Sequence, residues 1–341
     1  MVDSKKHSHP LRPDLPPHIA SGESKNRVMM KTCVAMCIPA ILGVAAIGWN
    51  ALWQILIAVA TVLVLHFIIQ VWERSTERMI TYPSPSSPLV LGMIVGLSMP
   101  ASSPYAVTVG VAALAMVIFK YFQGRVLYRK YINPAAASKT VLLAILSIII
   151  LFEDPLRVGM IFHPHHLRLD MISAEGFANA VAFYQTDTMT AAQSLIFWKT
   201  HGWIGGASGV GVLITGVIAS YWIKLKWRIP LAFLVVMTVL ATTMGLFTGG
   251  DPVSRIALHV FTGSVIFLAF FMATEPQSTP MPERAQYLFG VLLAVFTFIL
   301  QLGGVLGGSI IALVVLNVFT PLFDKFGHKR AVGLGGGKHV A

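Results

Sequence analysis

The stretch Thr262–Pro280, TGSVIFLAFFMATEPQSTP, limits most strongly how this chain can fold. Its apolar run is shorter than the ~20 residues a helix needs to cross a bilayer. It stops at Glu275-Pro276, a carboxylate beside a residue that cannot continue a helix. Ser86–Pro104, SSPLVLGMIVGLSMPASSP, follows the same plan: small residues at entry, a short apolar core, then Met, Pro, Ser and Pro in the same order. A full apolar span follows each, YAVTVGVAALAMVIF in one case and AQYLFGVLLAVFTFIL in the other. Duplicated, interrupted apolar segments in matching positions point to a substrate or ion site between two membrane repeats.

The composition agrees. Of 341 residues, 55% are hydrophobic and 11% charged, against about 25% charged in a soluble domain, so an integral membrane protein is expected. The net charge of +11 does not imply nucleic acid, because the Lys and Arg residues lie in the tails and short connections, where they orient a membrane chain. Cys33 and Cys37 are four apart on the first apolar segment and share a helix face, but two thiolates complete none of the usual four-ligand sites. They read as small buried residues. The polar first 27 residues, with Pro10, Pro13, Pro16 and Pro17 and no apolar core, read as a disordered or surface-bound arm rather than a signal peptide.

About ten apolar segments follow, near 29–47, 51–72, 86–99, 104–119, 135–152, 203–222, 228–247, 254–273, 284–302 and 304–322. If all of them cross, one side collects Lys5, Lys6, Arg12, Lys25 and Arg27, then Arg74, Arg78, Lys120, Arg125, Arg129 and Lys130. Lys224, Lys226, Arg228, Lys325, Lys329 and Arg330 fall on that side too, and the opposite short connections are nearly free of basic residues. Both termini are therefore expected in the cytoplasm. The expected organisation is a cytoplasmic arm (1–28), a first membrane repeat (29–152), an extracytoplasmic loop (153–202), a second repeat (203–322) and a cytoplasmic tail (323–341). Five segments per half force the halves into opposite orientation. The fold class expected is all-α and polytopic, with two inverted five-helix repeats and broken helices.

Ionisable groups inside spans are costly and mark function. Glu275 reads either as a cation ligand, proton acceptor or flavin contact, or as an interfacial carboxylate that satisfies helix ends or pairs with Arg284. Lys139, just inside the fifth segment, either snorkels to the interface or meets an anionic ligand or carboxylate along an ion pathway. His66 and His259 read as hydrogen-bonded packing residues rather than ligands. The run Gly202–Gly209, with Gly205, Gly206 and Ser208, offers amides at a helix start that would receive a phosphate or carboxylate, or else allows tight helix packing. The external His163-Pro164-His165-His166 lacks a supporting Cys or carboxylate constellation for a metal. Hydrolase triads, Walker loops and dinucleotide fingerprints are absent from the sequence.

Several stretches together resemble one family, the RnfD and NqrB subunits of ion-translocating electron-transport complexes. They are Ser21-Gly22-Glu23-Ser24 with Asn26-Arg27, and Tyr131-Ile132-Asn133-Pro134-Ala135. In the second half they are Trp227-Arg228-Ile229-Pro230, Phe270-Phe271-Met272-Ala273-Thr274-Glu275-Pro276 and Leu316-Asn317-Val318-Phe319-Thr320-Pro321-Leu322. The ordered set covers nearly the whole chain and is closer to RnfD than to NqrB. The resemblance implies a urea-channel-like fold and complexes that pass electrons between ferredoxin or NADH and another carrier, driving Na⁺ or H⁺. The candidate cofactor-binding residues are Asn133, Pro134, Gly205, Gly206, Ser208, Glu275 and Pro276, with Glu275 and Lys139 as the candidate ion pathway.

The sequence also departs from that family. Its members carry FMN as a phosphodiester on the last Thr of Asp-x-x-Ser/Thr-Gly-Ala-Thr. The matching residues here are Asp187-Thr188-Met189-Thr190-Ala191-Ala192-Gln193, and an amide cannot form that ester. The family's downstream Gly-Ser-x-Gly-Glu-x-Ser corresponds to Gly202–Ser208, without the Glu. A noncovalent flavin, FMN or riboflavin, is therefore expected instead of a covalent one, and no metal site. The expected function is an RnfD-like inner-membrane subunit working with membrane, iron–sulfur and flavoprotein partners in the lipid bilayer. The alternative is a small-solute or ion channel of similar shape without electron transfer.

Overall fold

An unpaired backbone amide in hydrocarbon costs several kcal/mol, and a helix pairs its own; each apolar segment of the chain accordingly folds as helix. The structure, a computed structural model, describes residues 25–75, 85–126, 131–152, 189–199, 202–248, 251–263, 265–303, 305 and 307–327. In the first half these form α1 (Lys25–Ile47), α2 (Trp49–Ser75), α3 (Ser86–Ser98), α4 (Tyr105–Val126) and α5 (Pro134–Phe152). A short α6 (Ala191–Ile196) precedes the second half. That half holds α7 (Gly209–Ile223), α8 (Arg228–Thr248), α9 (Pro252–Phe261), α10 (Val265–Met272), α11 (Glu283–Leu302), α12 (Gly308–Val318) and α13 (Thr320–Gly327).

Among the described residues, α1, α2, α4, α8 and α11 are each long and apolar enough to cross a membrane. Two bent pairs qualify together: α9 with α10, bent by 57°, and α12 with α13, bent by 60°. The molecule is thus an all-α polytopic membrane protein. Some details differ from the sequence reading. The eighth segment is cut near its middle, because Gly263 takes a left-handed φ of 61° that a helix cannot use. The sixth begins as a single 3₁₀ turn, Ile204–Gly206, and turns α-helical only at Gly209. The loop histidines 163–166, residues 187–188, the first 24 residues and the tail from 328 lie outside the described residues.

Local chemistry sets the helix starts. Asp251 accepts from the amides of Val253 (3.2 Å) and Ser254 (2.9 Å) ahead of Pro252, and the Ser254 hydroxyl and these amides hold its carboxyl below the usual range. Asn133 accepts from the Ala135 and Ala136 amides (3.0 and 3.1 Å) ahead of α5. Both combine a short polar cap with Pro at the first helical position, the preferred chemistry at that end.

The core is a continuous apolar cluster through both halves, with Met36, Leu97, Phe233, Phe267 and Phe289 buried in it. α3 lies against α1 and α2, α8 against α9 and α11, and the halves meet where α1 touches α7 and α5 touches α12. α3 starts beside Asn26, where the Ser86 hydroxyl reaches the Asn26 side chain (3.2 Å), and runs toward the start of α2. α10 runs the other way and ends at Met272, beside a cleft that Val28 and Ser87 also line. Pro100 and Pro276 therefore close their helices toward opposite ends of the bundle.

The close approach of α3 to α2 depends on Gly92 and Gly96: a Cβ at either would stand 2.8 Å from the Cα of Val59 or of Ile55. Gly96→Val is expected to lose about 1–3 kcal/mol by overpacking, seen as a lower thermal midpoint in detergent. Gly110→Ala, at an open helical position, is expected to match or slightly exceed the parent.

Candidate functional site

Basic groups gather at the end of the bundle where α1 begins: Arg125 pairs with Glu73 (3.6 Å) and Arg228 with Glu283 (2.5 Å). At this basic end a cleft of about 270 Å³ opens between the start of α1, α3, α4, the start of α5 and the turn after α10. Its walls are apolar at Met29, Leu91, Ile94 and Phe271 and polar at Ser87, Lys120, Asn133, Thr274 and Glu275. Four of the residues singled out in the sequence, Asn133, Pro134, Glu275 and Pro276, line this one cleft.

Asn133 ties the halves together there. While its oxygen caps α5, its amide donates to the Met272 carbonyl (3.1 Å), the last residue of α10. The half-buried Glu275 follows in a tight turn: its carboxylate accepts from the Ser278 hydroxyl (3.1 Å) and its carbonyl from the Thr279 hydroxyl (2.6 Å). The Ser278 carbonyl accepts from Thr320 (2.8 Å). Asn317, with its amide oriented to match donors with acceptors, donates to the same carbonyl (3.0 Å) and accepts from the backbone N–H of Asn133 (3.1 Å). Both walls contain π-helical stretches, Ala115–Phe122 around Lys120 and Leu268–Met272 before Glu275. Such widened turns recur at functional sites.

The remaining candidates lie at a second locus. Lys139 is fully buried; its ammonium donates to the Ser98 carbonyl at the end of α3 and lies 3.1 Å from the centroid of the Trp203 ring. The Gly-rich run crosses here, with the Ile204 amide donating to the Met99 carbonyl (3.1 Å) and Pro100 bridged to Trp203. A Cβ at Gly205 would meet the Leu97 carbonyl oxygen at 3.0 Å and Phe267 at 3.1 Å, and one at Gly206 would collide with the Gly263 carbonyl. The space these glycines leave is filled by protein backbone. Ser208 caps α7 by accepting from the Gly211 amide (3.2 Å). Gly205, Gly206, Ser208 and Lys139 are therefore apart from the Glu275 cleft and join the two interrupted helices.

Gln193 has a definite local role. With Thr190 it forms a reciprocal capping box at the start of α6: the Gln193 amide reaches the Thr190 hydroxyl (3.4 Å), and the Thr190 amide reaches the Gln193 side-chain oxygen (3.1 Å). The lone histidines are both hydrogen-bonded, His66 with Gln70 (2.8 Å) and His259 with Gln301 (2.9 Å). Cys33 is buried but Cys37 is exposed, so the reading of both as small buried residues holds for Cys33 alone. Groups of three or more metal-ligating side chains are absent among the described residues.

Sequence reasoning passed over Lys226, Asn317 and Lys199. Lys199, buried, donates to the Phe261 carbonyl at the end of α9. Lys226 donates to the Thr279 carbonyl (2.8 Å) and hydroxyl (3.0 Å) and to the Pro276 carbonyl (3.4 Å), clamping the turn that holds Glu275. Burial lowers its pKa from 10.5 to about 8, opposed by the nearby carboxylates of Asp324 and Glu275. Because the unfolded state holds this proton up to its ordinary pKa, the folded state gains stability from Lys226 as pH rises from about 8 toward 10.5. A comparison of thermal midpoints across that range is expected to show a steeper rise in the parent than in Lys226→Met.

Comparison with known proteins shows which family the sequence matches. The sequence model of the NQR2, RnfD, RnfE family matches residues 14–333. A subunit of the ion-translocating oxidoreductase complex of Actinobacillus succinogenes is 26% identical, over 94% of this chain and 97% of that protein. A subunit of the proton-translocating ferredoxin:NAD(+) oxidoreductase complex of Clostridium ljungdahlii is 26% identical, over 91% of this chain and 92% of its own length. Its Na(+)-translocating counterpart from Acetobacterium woodii is 26% identical, over 93% and 94%. With the family match running across both halves and both interrupted helices, this chain belongs to the NQR2, RnfD, RnfE family.

Proposed function

We infer that this chain is an RnfD-like membrane subunit of a multi-subunit ion-translocating oxidoreductase, and that the cleft at Glu275 is where it holds a flavin and a cation. The observation that carries this reading is the convergence of Asn133, Pro134, Glu275 and Pro276 on one cleft between the halves. In this arrangement about ten helical segments form two opposed repeats in the inner membrane, with the basic end in the cytoplasm, in line with the charge rule.

The cleft suits a flavin ring system better than a whole FMN. At about 270 Å³ it lies near the lower limit of ~300 Å³ for small-molecule sites, with apolar faces and polar groups of both senses at its rim. Gln193 carries no hydroxyl and is engaged in the capping box, which supports noncovalent retention. Bound there, a flavin would supply one- or two-electron transfer with a change of local charge.

The chain's own groups then do the positioning. Asn133 and Asn317 fix the Met272–Ser278 turn, Lys226 clamps it, and Phe271 with Leu91 excludes water from the inner wall. Glu275 provides a carboxylate that holds Na⁺ or a proton, with Ser278 steadying one of its oxygens. In a low-dielectric site a unit change of charge nearby shifts cation affinity by several kcal/mol at contact distances, so this carboxylate is placed to couple charge to ion uptake.

The test uses the assembled complex in proteoliposomes. Glu275→Gln is expected to keep the flavin and cut redox-driven Na⁺ or H⁺ flux at least about ten-fold, and acid precipitation of the parent is expected to leave the flavin in the supernatant. Unchanged flux in a folded variant would remove the role of Glu275. Ion or solute flux without any redox partner would instead mark a channel.

A further inference from the structure

A second and larger hollow, about 1030 Å³, opens on the flank of the bundle between α7 and α8. Its floor is Phe270, in the π-helical stretch of α10, and Leu213, Val217, Leu231 and Val235 form its walls. Ser220 also lines it, but its hydroxyl is already given to the Gly216 carbonyl (2.8 Å). The interior thus asks for an apolar occupant.

The mouth at the basic end is different in kind. Trp222, Lys224, Trp227 and Arg228 surround it. Arg228 lies 5.0 Å from the Trp227 ring and pairs with Glu283, and Lys31 of α1 stands 5.8 Å over Trp222. Lys224 and Arg228 thus stand at this mouth, with Lys31 close by. Lys224 ends α7 at a left-handed φ of 57°, a place where glycine is the usual residue. The neighbouring Lys226 turns away to the Thr279 carbonyl, so Lys224 is the exposed ammonium of this turn.

We propose that this groove is a binding site for an anionic phospholipid, with acyl chains along Phe270 and the α7–α8 walls and the phosphate at Lys224 and Arg228. Tryptophans at the headgroup level and a basic pocket between membrane helices are the chemistry that selects such lipids. A partner's transmembrane helix fits less well: helix–helix contacts in membranes favour small residues that let backbones approach, whereas bulky Leu, Val, Trp and Phe side chains line this groove. The occupant would rest on the same interrupted helix whose end carries Glu275, so the lipid would brace α10 from outside the bundle.

The test is native mass spectrometry and thermal melting of the full chain in neutral detergent, titrated with dioleoyl-phosphatidylglycerol, dioleoyl-phosphatidylcholine or glycerol 3-phosphate. Phosphatidylglycerol is expected to stay bound and raise the midpoint, with phosphatidylcholine weaker and glycerol 3-phosphate without effect. Lys224→Gln is expected to lose about five-fold in preference for the anionic lipid, and Leu231→Trp, which narrows the groove at its wall, is expected to weaken retention of both lipids. Equal retention of the two lipids, or an unchanged preference in folded Lys224→Gln, would overturn the proposal. So would benzoylphenylalanine at Val235 that captures another subunit's helix, rather than lipid, in the assembled complex.

Discussion

A helix that stops inside a membrane leaves carbonyl groups with no partner further along the chain, and hydrocarbon supplies no water to satisfy them. The helices α3, α9 and α10 each end on a donor brought from elsewhere in the sequence. Lys139 reaches the Ser98 carbonyl at the end of α3, and the Ile204 amide reaches Met99. Lys199 reaches Phe261 at the end of α9, and the Asn133 amide reaches Met272 at the end of α10. These contacts are what allow the two halves to be joined through broken helices rather than through continuous ones. The 202–207 run passes between them, and Gly205 and Gly206 let its backbone lie directly on the other chain segments.

The same contacts divide the polar groups into two sets with different work. Lys139 and Lys199 are both buried and spend their donors on the carbonyls at helix ends, so their role is structural. Glu275 is different: it sits at the rim of a cleft, half-buried, on a turn clamped by Lys226, Asn317 and Thr320. Its carboxylate accepts from the Ser278 hydroxyl and its own carbonyl from Thr279, so the turn fixes where this acidic group stands. The fold therefore separates the buried lysines that support helix ends from the proposed site, which lies at the basic end.

Much of this was legible in the residues. The paired motifs at Ser86–Pro104 and Thr262–Pro280 announced interrupted helices, and Asn133-Pro134 and Glu275-Pro276 are each a polar group next to a helix-breaking proline, a local pattern that survives without tertiary context. The interior break at Gly263 was not legible, because Thr262-Gly263-Ser264 read as small residues within one apolar segment, and the left-handed φ of Gly263 shows only in the structure. The separation of Gly205, Gly206 and Ser208 from the cleft was not legible either: a Gly-rich helix start looks the same whether its amides face a phosphate or a neighbouring backbone. Lys226 and Lys199 look like ordinary surface cations in sequence, and only packing turns them inward. Gln193 read as a missing hydroxyl; its positive role as the third helical residue of a capping box required knowing where α6 begins.

The joining of the interrupted helices can be tested where the Gly-rich run crosses the end of α3. Pro100 and Trp203 form an antiparallel bridge, and such pairs hold their Cα atoms about 4.5–5.5 Å apart, within reach of a disulfide. In a background with Cys33→Ala and Cys37→Ala, Pro100→Cys combined with Trp203→Cys should close to a disulfide on mild oxidation, read by intact mass and by faster migration of the non-reduced band. Two thiols that stay free in a folded, monodisperse sample would mean that the run does not lie on α3, and the account of how these halves are held together would fail.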